Sequence, residues 1–217
     1  MEEIMTIKEA IAARHSVRSY ESKLVPEEIR SAIEEEVDAA NRESGLHIQV
    51  LWDKPQVFAG KIKGAENGVI LIGKKSAELE EKLGYFGARI MLKIQMLGLN
   101  SVWVAMSFNK KEAAALCSVG EGESVVNALA FGYGTTQGTA HRSKAAERCM
   151  SVNGEVPEWF AKGMEAAMLA PTAINQQQFV FSLDGDKVSA KAKIGPYSKV
   201  DLGIVKYFFE IGSGKKI

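Results

Sequence analysis

No proline interrupts residues 76–97, and within them Leu79, Leu83, Phe86, Ile90, Met91, Ile94 and Leu97 recur at helical intervals around Gly84 and Gly87. That spacing gathers the apolar side chains on one face, so the segment reads as a long core helix ending at Gly98. Just upstream, Gly68-Val69-Ile70-Leu71-Ile72-Gly73 is an unbroken apolar run between glycines, the pattern of a fully buried strand. A sheet with this helix laid on it is the arrangement that the remaining segments have to fit.

Ahead of that pair, Thr6 stands as N-cap with Glu9 three residues on as its capping-box partner, and Ile7, Ala10 and Ile11 share one face of a helix ending near His15. Pro26-Glu27-Glu28 opens a second helix, with proline in the first turn and acids at the positive end of the dipole. Ile29, Ala32, Ile33 and Val37 carry it through about four turns. Residues 47–52 alternate at first, as a half-buried strand does, and residues 101–106 and 126–133 read as two more strands around a short helix at 110–116. The second of these strands ends at Gly134, and a polar loop bearing glycine and threonine covers residues 135–145. Pro157 starts a helix through Met164, Ala167 and Met168 to about Ala170. A hairpin then joins residues 179–183 to 187–192 across Asp184-Gly185-Asp186, and a last helix covers 200–211. Strict βαβ alternation is missing, so the expected class is α+β, a sheet with flanking helices, in one domain over residues 1–217 and without an internal repeat.

Composition narrows the function classes. Lys plus Arg and Asp plus Glu number 27 each, which leaves no general basic surface for nucleic acid or an anionic membrane; an anion site has to be local. The apolar runs fall far short of the roughly 20 residues that span a bilayer, and Met1-Glu2-Glu3 does not open a secretory signal, so a cytoplasmic protein is expected. Cys117 and Cys149 lack CxxC spacing and are read as free thiols; no metal cluster and no catalytic acid or nucleophile stands out.

Two segments concentrate polar chemistry. Arg14-His15-Ser16-Val17-Arg18-Ser19-Tyr20 crowds two guanidinium groups, an imidazole and hydroxyls at a helix exit, which suits an anion, since arginine offers planar paired donors to phosphate. Helix-end cations are also commonplace on their own account. Ala170-Pro171-Thr172-Ala173-Ile174-Asn175-Gln176-Gln177-Gln178 is a small-residue, amide-rich loop between a helix and a strand, and singly it reads as an ordinary turn.

Together they resemble the nitroreductase family: Arg-x-Ser-x-Arg after an N-terminal helix and Ala-Pro-Thr-Ala-x-Asn-Gln before a strand look like that family's FMN site. Residues 87–106 are similar to its long dimer-core helix leading through Leu-Gly-Leu into a strand with Trp103. Ala130-Phe131-Gly132-Tyr133-Gly134 resembles its Gly-Tyr strand end, and His141-Arg142-Ser143-Lys144 its phosphate-reaching basic segment. The late position of the Pro171 loop, and Asp201-Leu202-Gly203-Ile204 after it, are similar to the branch called the TM nitroreductase type.

The resemblance implies a homodimer with FMN between subunits, reduced by NADH or NADPH and reoxidised by a small-molecule acceptor such as a nitroaromatic or quinone in a ping-pong cycle. It implies Arg14, Ser16, Arg142 and Ser143 at phosphate and ribityl, with His15 in the same motif, and Arg18 at the N1 and O2 edge. The strand end Trp103, Val104, Ala105 and Met106 would lie near N5, and Pro171, Thr172, Ala173, Asn175 and Gln176 would reach a partner's cofactor. A flavin carrier without turnover, a dehalogenase and a flavin-degrading enzyme remain open on the same fold.

Overall fold

In the computed structural model, which describes residues 5–58, 60 and 62–217, the long helix and the buried strand face each other; the start Met1-Glu2-Glu3 lies outside the described residues. The chain runs α1 (Ile7–Ala13), α2 (Glu27–Ser44), β1 (Gln49–Leu51), β2 (Asn67–Lys74), α3 (Leu79–Met96), β3 (Asn100–Val104), α4 (Lys110–Leu116) and β4 (Glu123–Gly132). There follow β5 (Met150–Val152), α5 (Glu158–Met168), β6 (Phe179–Asp184), β7 (Lys187–Ala192) and α6 (Ser198–Ser213). The class is α+β with mixed sheet and flanking helices.

The main sheet has the order β1-β2-β4-β3 and is antiparallel throughout, with Val69 opposite Leu129 and Ser101 opposite Phe131. β2 is buried on both faces, as its sequence requires: Val69 and Leu71 join the cluster that holds α3, while Ile70 and Ile72 join a second cluster with Phe58, Val102 and Ala113. One expected sheet is in fact two. β5 was not foreseen, and it pairs in parallel with β6, whose other edge takes β7 antiparallel. Three residues carry too little alternation to announce a strand, so β5 exists because β6 offers it an edge.

Boundaries moved for local reasons. α1 stops at Ala13 with Arg14 as C-cap, and α2 extends to Ser44, where Gly45 at φ 69° closes it. β3 ends at Val104, short of the expected Ala105 and Met106.

A larger correction concerns repetition. The order α2-β1-β2-α3 recurs as α5-β6-β7-α6. Each run opens on Val-Pro-Glu, at Val25-Pro26-Glu27 and Val156-Pro157-Glu158, and each closes on a helix with Leu-Gly near its start, at Leu83-Gly84 and Leu202-Gly203. The two runs share this element order and few identities, so the likeness is faint in sequence. α3 and α6 meet at those glycines: a Cβ on Gly84 would fall 2.0 Å from the Val200 carbonyl oxygen, and one on Gly203 would fall 1.9 Å from that of Glu81. Only glycine permits so close a crossing.

Candidate functional site

Beyond α1 the backbone becomes an extended strip, pinned where Ser16 bridges Ser101 of β3, Ser19 bridges Lys63 and Tyr20 bridges Gly134. Gly134 has to be glycine here, since a Cβ would lie 2.7 Å from Asn100 Oδ1 and 2.9 Å from Val17. Tyr20 locks the strip from inside, its hydroxyl donating to the carbonyls of Val17 at 2.7 Å and Ala130 at 3.1 Å. Burial pushes its pKa up, so it stays a neutral donor.

The strip places Arg14 in an exceptional state. The residue is 4% exposed, and its Nε and Nη1 have no hydrogen-bond partner among the described residues. Desolvation lowers its pKa to about 10, which leaves it charged at neutral pH. A buried ion without a counter-charge among the described residues costs on the order of several kcal/mol, and an anion entering the cleft would offset that cost.

The opposite wall is the loop at residues 171–177. Ile174, Asn175 and Gln177 hold φ of 47°, 56° and 47°, and for a β-branched residue that region is strained. A dense bond network holds the loop there. Asp201, in the first turns of α6, accepts from the Ala173 N–H at 2.9 Å and from Gln176 Nε2 at 2.7 Å. Gln177 Nε2 donates to the Arg142 carbonyl at 3.0 Å, and its Oε1 accepts the Lys144 N–H at 2.7 Å; Asn175 Nδ2 also donates to the Arg142 carbonyl, at 2.9 Å. Asp201 is 2% exposed, and burial raises its pKa to about 6 against the pull of its bonds from Gln176 and Ala173.

Between strip and loop lies a cleft of about 720 Å³. Arg14, Ser16 and Arg18 line it from one side and Pro171, Thr172 and Asn175 from the other, with Lys63 and His141 at its edges. None of the described residues lining it is acidic, so it is a local cationic site on a chain of zero net charge. A smaller cavity of about 120 Å³ shares Ser16, Arg18, Pro171 and Thr172 and continues past Trp103, Val104, Ala105 and Ala173 to Tyr197, Asp201 and Ile204. Trp103 lies on α3 at Gly87, where a Cβ would come within 2.5 Å of the ring, and its Nε1 donates to Met91 Sδ at 3.2 Å. Asn127 of β4 also lines this cavity, 3% exposed and with Oδ1 unpartnered.

Most of the residues singled out in the sequence therefore converge, and both walls come from one chain. Others do not face the cleft. His15 turns its Nδ1 to the Gln137 carbonyl at 3.2 Å and braces the loop after β4. Gln176 spans the Pro196 carbonyl and Asp201. Met106 is 86% exposed and lines neither cavity. The Arg142 side chain is exposed while its carbonyl anchors the strained loop, and the Ser143 hydroxyl donates to the Met168 carbonyl at 3.0 Å. Lys63, Asn127, Tyr197 and the wall role of Asp201 escaped sequence reasoning: no motif surrounds Lys63 or Asn127, and pairing alone brings them in.

Among the described residues no His, Cys, Asp or Glu cluster could hold a metal, and no helix is long and apolar enough to cross a membrane. Cys117 and Cys149 are free thiols, and burial raises both pKa values, Cys117 to about 11, so neither is an activated nucleophile.

Comparison with known proteins finds the same fold. A nitroreductase from Thermotoga maritima superposes with a TM-score of 0.72 at 21% identity, over 98% of this chain and 85% of its own. A Desulfovibrio desulfuricans nitroreductase solved in complex with FMN gives 0.56 at 20% identity, over 70% and 99%. A protein from Clostridium acetobutylicum described as an NADH oxidase gives 0.50 at 21%, over 64% and 96%. No curated protein matches the sequence. The family model described as "Putative TM nitroreductase" matches residues 6–213, and the chain belongs to that family.

Proposed function

We propose that this flavin-type oxidoreductase binds FMN in the cationic cleft, takes reducing equivalents from NADH or NADPH and passes them to a small-molecule acceptor such as a nitroaromatic or quinone. Arg14 carries the reading: a buried, unpaired guanidinium at the wall of an acid-free cleft fits a phosphate monoester better than any neutral ligand. The FMN bound to the Desulfovibrio relative and the NADH oxidase description of the Clostridium relative support it by analogy of fold.

In this assignment Arg14, Ser16 and Lys63 hold phosphate and ribityl, with His141 beside them. Arg18, which lines both cavities, balances negative charge at the pyrimidine edge. Trp103, Val104 and Ala105 present the strand end beneath the ring system, and Pro171, Thr172, Ala173 and Ile174 close the far wall. When bound, FMN supplies two-electron hydride chemistry, so the chain needs no catalytic acid or nucleophile of its own. The protein's part is to fix the group, exclude water and leave one face open to reductant and acceptor in turn.

The test is a flavin titration of dialysed protein, followed by absorbance and fluorescence, beside Arg14→Met. Saturable FMN binding weakened in the variant, with NAD(P)H oxidation that depends on an added quinone or nitroaromatic, is the expected result. Wild-type protein that binds no FMN would end the proposal.

A further inference from the structure

We infer that Asn127 is a specificity-determining residue: its side-chain carbonyl, spare in the wall of the smaller cavity, accepts a hydrogen bond from an amide-type N–H carried by a planar ring. The inference rests on the FMN reading and names what the inner part of that site recognises.

The strand pattern makes the residue unusual. Along β4 the alternate positions Asn127, Leu129 and Phe131 share one face, and the last two are buried in the cluster that holds α3. At Asn127 the same face receives an amide. Val126, just before it, is the extra residue of a β-bulge, since Leu71 of β2 pairs with Asn127 and the next residue, Ile72, pairs with Val125. Asn127 is 3% exposed, yet its Oδ1 finds no donor among the described residues. A buried carbonyl in that state has given up its bonds to water without replacement, and an apolar residue of the same size would escape that cost. Its side chain is therefore half of a bond that a ligand completes.

The other walls describe the ligand. Trp103, Val104, Ala105, Val200 and Ile204 are apolar, and the volume of about 120 Å³ is close to the roughly 150 Å³ in which a benzene-sized guest is held. That is room for one ring, alone or at the end of a larger planar system. Asp201 also presents oxygen there, and its bonds come from the Ala173 N–H and Gln176 Nε2, both neutral donors. Two oxygen acceptors favour an N–H edge and repel a second anion. The outer cleft is the reverse, with Arg14, Arg18 and Lys63 as donors. Because Ser16, Arg18, Pro171 and Thr172 line both spaces, one ligand can fill both, its anion outside and its N–H edge inside. A ring without that N–H would leave Asn127 unbonded, and a site built around a buried hydrogen bond discriminates strongly against such an analogue.

Two sources carry this chemistry: the ring N–H between the two carbonyls of the flavin's pyrimidine ring, and the carboxamide of a nicotinamide. Paired probes separate them. Apoprotein is titrated with FMN and with FMN methylated at that nitrogen, followed by flavin fluorescence. Apoprotein and FMN-loaded protein are titrated with nicotinamide and with methyl nicotinate, which lacks the N–H, followed by tryptophan fluorescence. Both pairs are repeated in Asn127→Leu, which keeps the volume without the acceptor, and in Asn127→Ala, which leaves room for the added methyl group. Wild-type protein is expected to favour the N–H member of at least one pair by about tenfold or more, and the variants to lose that preference. The pair that responds names the source. Equal binding, or none, within both pairs overturns the inference, as does a preference that both variants retain.

The Asn127→Leu apoprotein should also unfold at the wild-type urea midpoint or above it, because a polar group without a partner has been removed. A clear fall would show that Asn127 is bonded within the fold, and would overturn the inference too. If wild-type protein binds no FMN, the function proposed above is lost, and the urea midpoint and the nicotinamide pair on apoprotein still decide the role of Asn127.

Discussion

At the scale of single residues the site stores cost in two places. Arg14 is a buried charge awaiting a partner, so Arg14→Met is expected to leave the unliganded fold as stable or more stable, by up to about 2 kcal/mol, while FMN affinity drops by roughly 10- to 100-fold. Thermal melts with and without FMN read both effects; a variant that is merely less stable in both states would show that Arg14 is a packing residue. Ile174 holds φ 47° with its side chain 87% exposed, so Ile174→Gly should relieve about 1 kcal/mol of backbone strain and raise the urea midpoint of the apoprotein. A lowered midpoint would mean that the side chain packs. Asp201 adds a pH term. Its folded pKa of about 6 exceeds the ordinary 3.8, so its contribution to stability is fully present below about pH 4 and is lost as pH rises through 6, by at most about 3 kcal/mol. Against Asp201→Asn, urea midpoints of the wild type should fall between pH 4 and pH 6; parallel curves would show that another group titrates.

At the scale of elements, the long helix, the buried strand, the hairpin and the capping box of α1 were all readable, because each rests on a local rule of period, turn or cap. β5 and the early end of β3 were not, since both depend on which edge lies alongside. The helix crossing is where sequence and site join: α6 carries Asp201 toward the cleft only because Gly203 lets it sit on α3. Gly203→Ala places a methyl against backbone and should cost about 3 kcal/mol, with loss of FMN binding. Gly163→Ala meets the buried Phe209 side chain instead of backbone and should cost less, about 1 to 2 kcal/mol. Chemical denaturation of the pair checks the order, and equal losses would contradict the account of the crossing.

At the scale of the whole molecule, the two α-β-β-α runs share one apolar cluster that includes Leu83, Met91, Leu202, Val205 and Phe209. Both runs contribute side chains to that cluster, so they should unfold together. Trp52 and Trp103 report on the first half and Trp159 on the second. Circular dichroism and tryptophan fluorescence should therefore give coincident urea transitions; separated midpoints would mean that the halves are independent folding units.

The sequence by itself determined the kinds of element, the cationic strip and the amide loop, because period, caps and residue chemistry act over a few neighbours. Tertiary structure alone decided that Arg14 Nε and Nη1 find no partner among the described residues, that Lys63 reaches the cleft and Asn127 the smaller cavity, and that Arg142 serves through its carbonyl. It decided too that one chain supplies both walls. Those outcomes depend on contacts between residues far apart in the chain, and no local pattern encodes which distant surface a segment will meet.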